Sequence, residues 1–226
     1  MKSLARYSAA FFCAYFVITC RAVAIAENPL STATGSAYDR SSGNLIYREF
    51  HFCDLSSTQC SVDYRDVTGE LIAQKLLDYR TGPHSPSLVV KNFRKAEQAD
   101  LTLTGNPDWV VDAGFDNYVR SKWDVLDSGE VVKFPLLVPG FEKPLKMRAQ
   151  RVDEESCFAA ELCLEIVLDS WLLGMLVDPI TVSYSRPEKK LLRFQGISNL
   201  RGIDGESLDV DIRYHYSDPV VTSSNP

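Results

Sequence analysis

The feature that most constrains this chain is a series of short segments in which apolar and polar residues alternate, separated by turn residues. Alternation with a period of two is typical of strands that bury one face, and short connections favour antiparallel neighbours. We predict about ten strands, over 45–53, 60–66, 71–79, 88–95, 100–104, 131–138, 145–152, 162–168, 180–185, 190–196 and 208–216. The sequence therefore predicts a mainly β (α+β) fold, in which an antiparallel sheet curls into a half-barrel or closes into a barrel.

One segment has the periodicity of a helix instead. Its apolar side chains recur at helical spacing, at Phe115, Tyr118, Val119 and Trp123. Asp112 precedes them, and we expect it to cap the helix. A second short helix or turn is predicted over 171–176. The segment 71–79 also fits a helical face, but the turn before it favours a strand. One or two short helices are therefore expected to line or plug the concave side of the sheet.

The first 26 residues have the composition of a secretory signal peptide. Lys2 and Arg6 are followed by thirteen uncharged residues over 8–20, and the segment ends at Ala24-Ile25-Ala26, a pattern that signal peptidase accepts. As a helix, the uncharged stretch would span only about 20 Å, against roughly 30 Å for a membrane core. A lipoprotein anchored at Cys20 is the less favoured alternative, because Thr19 is a poor residue before a lipidated cysteine. We therefore expect a periplasmic protein without a membrane span after cleavage.

The remaining chain divides into three parts. Residues 27–43 are rich in Ser, Thr, Ala and Gly and are interpreted as a flexible linker. Residues 44–217 form a single predicted β-rich domain, and 218–226 a disordered tail. Loss of the signal leaves 21 basic and 30 acidic residues, a net charge of −9. This balance argues against a nucleic-acid partner, which would require a basic surface.

Four cysteines remain after signal cleavage, and an even number in an exported chain favours disulfides. Of the three possible pairings, the spacing favours local bridges, Cys53 with Cys60 and Cys157 with Cys163. Neither pair has the spacing of zinc ligands, and the histidines lie far apart, at positions 51, 84 and 215. We therefore predict disulfides, with no bound metal and no cofactor.

Catalytic motifs are absent from the sequence. It contains no Gly-x-Ser-x-Gly, His-Glu-x-x-His, phosphate-binding glycine loop or Cys-x-x-Cys. Each histidine is interpreted as a structural side chain, so no catalytic residue is predicted. The acidic residues 153–155, with Glu161 and Glu165, are interpreted as a solvated acidic turn rather than a calcium site.

An aromatic set is the strongest candidate for a binding site. We predict that an apolar cavity would be lined by Phe115, Tyr118, Trp123 and Phe134, together with residues 171–173. Arg120 and Arg148 are the candidate polar groups at its mouth. The favoured interpretation is that these aromatics fill a packed core, although the sequence does not separate a packed interior from an occupied cavity.

Three stretches resemble a family of uncharacterised exported proteins of Gram-negative bacteria: 112–120 (DAGFDNYVR), 179–184 (PITVSY) and 191–199 (LLRFQGISN). This resemblance implies a periplasmic location and a β-rich fold similar to half-barrels that bind or carry envelope lipids. The leading hypothesis is a non-enzymatic protein that binds a lipid or another apolar small molecule and serves envelope maintenance. The alternatives are a module that binds an envelope protein, and a hydrolase whose site follows no motif.

Overall fold

The structure is a computed structural model that describes residues 31–54, 56–94, 101–153, 157, 161–170 and 178–217. The predicted signal peptide, the predicted helix or turn over 171–176 and the predicted tail lie outside these residues. The acidic residues 154 and 155 do as well.

The described residues contain thirteen strands and two α-helices. The strands are β1 (Ala33–Asp39), β2 (Leu45–Cys53), β3 (Gln59–Asp66), β4 (Leu71–Asp78), β5 (Ser87–Asn92), β6 (Leu101–Leu103), β7 (Val110–Val111), β8 (Val132–Leu137), β9 (Leu145–Arg151), β10 (Glu161–Leu168), β11 (Ile180–Ser185), β12 (Leu191–Arg201) and β13 (Ser207–Tyr216). The helices are α1 (Gly114–Ser121) and α2 (Trp123–Asp127), and a 3-10 turn covers Tyr79–Thr81.

All thirteen strands belong to one curled sheet, in the order β6-β5-β4-β3-β2-β1-β13-β12-β11-β10-β9-β8-β7. Neighbours are antiparallel except for β7 and β8, which are parallel. The sheet is open, with β6 and β7 at its two edges. The prediction of a mainly β fold with short helices is thus confirmed in its half-barrel form, with more strands than the ten expected.

Strand β1 corrects the predicted linker, because it lies inside the segment 27–43. It pairs with β13 on one side and β2 on the other, so the first and last described strands are neighbours in the sheet. The side chains on its inner face are small, at Ala33, Gly35 and Ala37. Residues this small produce no apolar alternation, which is why the sequence concealed a strand that is held by backbone pairing on both edges.

The two helices lie on the concave side and contribute Val119, Trp123 and Leu126 to a core shared with β8–β11. The predicted cap is wrong. Helix α1 begins at Gly114 after Ala113, with no side-chain capping bond, and the Asp112 carboxylate binds elsewhere.

Gly114 allows α1 to begin directly against the chain before β5. A Cβ at this position would lie 2.2 Å from the carbonyl oxygen of His84, a distance that no side chain tolerates. The same carbonyl accepts a hydrogen bond of 2.9 Å from the Val111 N–H. Backbone contacts therefore hold the β7 edge and the start of α1 against the opposite end of the sheet.

Both predicted disulfides are present, Cys53–Cys60 across the β2–β3 hairpin and Cys157–Cys163 at the start of β10. In the chain-entropy model, loops of this length stabilise the fold by about 2 to 2.5 kcal/mol each. Neither helix among the described residues has the length and apolar character needed to cross a membrane.

Candidate functional site

The concave side of the sheet encloses a cavity of about 480 Å³ between the sheet and helix α1. This volume falls within the range of small-molecule sites, about 300 to 1,000 Å³. Exposed lining residues mark its mouth at the end of the sheet that carries the Cys53–Cys60 hairpin, among them Thr32, Ser57 and Tyr216. One side of the cavity is mainly apolar, and the buried charged side chains Glu49 and Lys75 lie on the other side.

The apolar wall is formed by strands β8 and β10–β12 and the residue after β8. The side chains that line it are Leu136, Val138, Ile166, Ile180, Val182 and Phe194. They come from neighbouring antiparallel strands, and alternation within each strand turns them to the same face. The result is a mostly aliphatic surface against which an apolar group can pack.

The opposite wall contains a buried ion pair. Lys75 on β4 places its Nζ 2.6 Å from Oδ2 of Asp112, and both residues are buried. The Nδ2 of Asn199 donates a hydrogen bond to Oδ1 of the same carboxylate. Burial by itself would lower the pKa of Lys75, but the neighbouring Asp112 carboxylate outweighs it and holds that pKa above its usual range. Asp112 therefore holds Lys75 as a cation in the wall of the cavity.

A second polar group on this wall is centred on Glu49 of β2, which is also buried. Its Oε2 lies 3.0 Å from Nε2 of His51 and accepts a hydrogen bond of 3.2 Å from the Tyr214 hydroxyl. Burial raises the pKa of Tyr214, and the Glu49 carboxylate adds to the effect. Gly35 lies between them, since it pairs with Tyr214 on one side and Glu49 on the other. A Cβ at Gly35 would lie 2.9 Å from the Tyr214 ring, so glycine leaves the space for this contact.

Helix α1 adds a third polar group. The Asp116 carboxylate forms an ion pair with Arg120 one turn later, through Oδ2 at 2.5 Å. Burial raises the pKa of Asp116, although Arg120 opposes the shift. The fully buried Tyr184 hydroxyl lies beside this carboxylate, and burial together with Asp116 raises its pKa.

The structure brings two of the predicted binding residues, Phe115 and Arg120, to the cavity. The rings of Tyr118 and Phe134 pack against each other at 5.0 Å, and Phe134 also contacts Phe115 at 5.5 Å. Trp123 packs edge-on against Tyr184. These contacts belong to the core behind the apolar wall. Most of the predicted aromatic residues therefore pack in the core and do not line the cavity.

The last predicted residue, Arg148, lies on β9 between Met147 and Ala149, which face the core. Alternation therefore directs Arg148 to the other face of the sheet, where its Nη1 donates to Oε1 of Gln150 at 3.2 Å. Arg148 is therefore not among the residues that line the cavity.

Sequence reasoning missed the polar wall. His51 was interpreted as a structural side chain among strand aromatics, and Glu49, Lys75 and Asp112 were not singled out as site residues. Lys75 gave a usable signal, because a lone lysine within the mostly apolar segment 71–77 predicts a buried charge that requires a partner. Its partner is 37 positions away in the sequence, and no local pattern links the two.

One group of potential metal-binding side chains occurs among the described residues: Cys157, Glu161 and Cys163. Its two cysteines are joined in a disulfide, so they offer no thiolate ligands. No protein-family model and no curated protein matches this chain. The resemblance to exported proteins of Gram-negative bacteria therefore stays a prediction.

Proposed function

We propose that this protein is a non-enzymatic periplasmic binding protein, which holds a small lipid or another amphipathic molecule in its half-barrel and serves the cell envelope. The observation that carries the proposal is the cavity of about 480 Å³ with one aliphatic wall and one wall of charged and hydroxyl groups. The two local disulfides suit an oxidising compartment.

The apolar wall supplies the binding energy in this proposal. Burial of a methylene group contributes about 0.8 kcal/mol, so a tail longer by two methylenes gains about 1.6 kcal/mol while the wall still has room. That difference corresponds to a dissociation constant about 15-fold lower. The polar wall supplies orientation, because its charged groups already have partners and exclude an apolar tail from their side.

The first test is native mass spectrometry of protein purified from the periplasm, followed by titration with 1-octanol and 1-decanol. We expect a co-purifying lipid-like molecule, and a dissociation constant for 1-decanol that is lower by about 15-fold. Repeated isolation of clean apo protein, together with no tail-length dependence, would contradict the proposal.

A blocking variant ties the binding to this cavity. Val138→Trp fills the apolar wall from the end of β8, whereas Val131→Trp makes the same change before β8, where Val131 is 47% exposed. We expect at least a tenfold loss of 1-decanol binding in the first variant and none in the second. Thermal unfolding of both variants checks that each retains the fold. Equal binding by the two folded variants would place the ligand elsewhere.

The hydrolase alternative has one observation in its favour, the contact between His51 and Glu49 inside the cavity. A hydrolase of this type requires a nucleophile on the other ring nitrogen of the histidine. Among the described residues, no hydroxyl or thiol forms a hydrogen bond with the His51 ring. The binding function is therefore preferred.

A further inference from the structure

Most polar groups that line the cavity already have partners within the protein. Lys75 and Asn199 contact Asp112, while His51 and Tyr214 contact Glu49. Groups that are satisfied in this way gain little from a ligand, because each new hydrogen bond would replace an existing one. The polar end of a ligand is therefore expected where a lining group still lacks a partner.

Two such atoms lie side by side. Within the described part of the chain, three buried side-chain oxygens lack a partner in hydrogen-bond geometry, and one of them, Oδ2 of Asp112, lies 2.6 Å from Nζ of Lys75 in the ion pair. The other two, Oδ1 of Asp116 and the Tyr184 hydroxyl, lie near each other but outside hydrogen-bond geometry. Tyr184 is fully buried, and both residues line the cavity. About a third of the Asp116 side chain is exposed, but the exposed part does not include Oδ1. A buried polar atom without a partner costs about 1 to 3 kcal/mol, so a ligand group that pairs with both atoms is favoured.

The charge around Asp116 and Tyr184 is already balanced. The Arg120 guanidinium neutralises Asp116, and its Nη2 also donates to Oδ1 of Asn117 at 2.9 Å. Its Nη1 lies 3.4 Å from the carbonyl oxygen of Lys189, which it approaches as a donor. An anionic head group would have to compete with Asp116 for this cation, and a cationic head group would have to compete with Arg120 for the carboxylate. A neutral group meets neither obstacle.

We infer that the polar end of the bound amphipath is a neutral group that both donates and accepts a hydrogen bond, a hydroxyl or a primary amide. It donates to Oδ1 of Asp116 and accepts from the Tyr184 hydroxyl, while the tail packs on the apolar wall. This inference rests on the proposed function and specifies its ligand class.

The test compares four ligands with the same tail on the full mature protein: 1-decanol, decanamide, decanoate and decylamine. Displacement of a fluorescent apolar probe gives their dissociation constants. We expect the alcohol and the amide to bind at least tenfold more tightly than the carboxylate and the amine. Because this comparison uses the unmodified protein, it does not depend on the folding of a variant.

Two variants locate the head group. Tyr184→Phe should weaken 1-decanol about 2- to 12-fold, as expected for one neutral hydrogen bond. Asp116→Asn keeps an acceptor oxygen but removes the charge, so decanoate should gain affinity relative to 1-decanol. Tyr38→Phe is the matched control, because it removes a tyrosine hydroxyl that is not among the residues lining the cavity. It should leave the ratio of alcohol to carboxylate unchanged.

The outcomes separate the two proposals. If none of the four ligands binds, the proposed function fails. If decanoate or decylamine binds as tightly as 1-decanol, the neutral head group is wrong while the binding function stands. If Tyr184→Phe binds all four ligands as the unmodified protein does, Asp116 and Tyr184 pair with each other in solution and the assigned position is wrong.

Discussion

Substitution of Asp112 by Asn tests the buried ion pair that forms one wall of the cavity. Asp112 has φ of 43°, in the left-handed region where Asn is among the best tolerated residues. Asn is also nearly the same size as Asp. The substitution therefore removes the charge with little backbone strain and leaves Lys75 as a buried cation without a carboxylate.

The expected loss of stability follows from the geometry. At 2.6 Å and an effective dielectric constant of about 20, the two charges attract each other by about 6 kcal/mol, which offsets the several kcal/mol needed to dehydrate each ion. Removal of one partner from such a pair costs about 3 to 5 kcal/mol. The upper limit is the cost of removing the proton from a lysine of ordinary pKa, about 4.6 kcal/mol at pH 7.

The same limit fixes the pH dependence. In the variant, burial is offset only by the weaker effect of the Glu49 carboxylate, so we expect the pKa of Lys75 in the folded state to fall below the unfolded value of about 10.4. The unfolded state then binds more protons than the folded state between these two pKa values, and stability rises with pH. The largest loss of stability that the substitution can cause therefore decreases from about 4.6 kcal/mol at pH 7 to about 1.9 kcal/mol at pH 9. In the unmodified protein the Lys75 pKa is raised, so Lys75 stays charged in both states over this range and contributes no slope.

Urea unfolding, followed by tryptophan fluorescence at pH 7 and pH 9, measures both effects. For a slope of about 2 kcal/mol per molar urea, we expect the midpoint of Asp112→Asn to fall by about 1.5 to 2.3 M at pH 7 and to recover partly at pH 9. Asp209→Asn is the control, because it breaks the exposed pair with Arg40 and should cost less than about 1 kcal/mol. A loss as small as the control's, or one that is equal at both pH values, would refute the assignment of Lys75 as a buried cation held by Asp112.

Two further substitutions test the packing around the cavity, with urea midpoints as the readout. Gly35→Ala places a Cβ 2.9 Å from the Tyr214 ring and should lower the free energy of unfolding by about 1 to 3 kcal/mol. Its control is Gly82→Ala, which has no described atom within 4 Å of its Cβ and should change stability by less than about 0.5 kcal/mol. Equal effects would contradict the close approach at Gly35. Phe134→Ala should lower the free energy of unfolding by about 3 to 5 kcal/mol, because Phe134 is only 4% exposed. Phe141, at 48% exposure, is the control, and Phe141→Ala should be nearly neutral. A small loss of stability in Phe134→Ala would mean that this aromatic cluster is loosely packed.

Local features of the fold were predictable from the sequence because their causes are local. Alternation over 45–53 and 60–66 indicates two strands, and the short loop between Cys53 and Cys60 indicates a hairpin disulfide. Strand β1 was missed because its inner side chains are small and its stability comes from neighbours that are distant in sequence. The predicted cap, Asp112, failed for a related reason, since an ion pair with a distant strand determines its position.

The position of the site was harder to predict, because alternation identifies two faces of a strand but not which face points inward. In β2, Phe50 and Phe52 alternate with Glu49 and His51, and hydrophobicity alone would turn the two phenylalanines towards the core. The structure has the reverse orientation, with Glu49 buried on the concave side. The register with β1 decides this, since Gly35 lies beside Glu49 and leaves room for its contact with Tyr214.

The orientation of β2, with Glu49 facing inward and the two phenylalanines facing outward, is itself an argument for a binding site. Apolar residues of similar volume are often as stabilising as a buried ion pair, or more so, because dehydration of the charges offsets their attraction. Stability alone therefore does not account for Glu49 and Lys75 on the inner face while Phe50 and Phe52 lie on the outer one. Local rules of patterning are broken most often at functional sites. Here they are broken on the wall that faces a cavity, opposite an aliphatic surface, where polar groups can orient a ligand that has one polar and one apolar end.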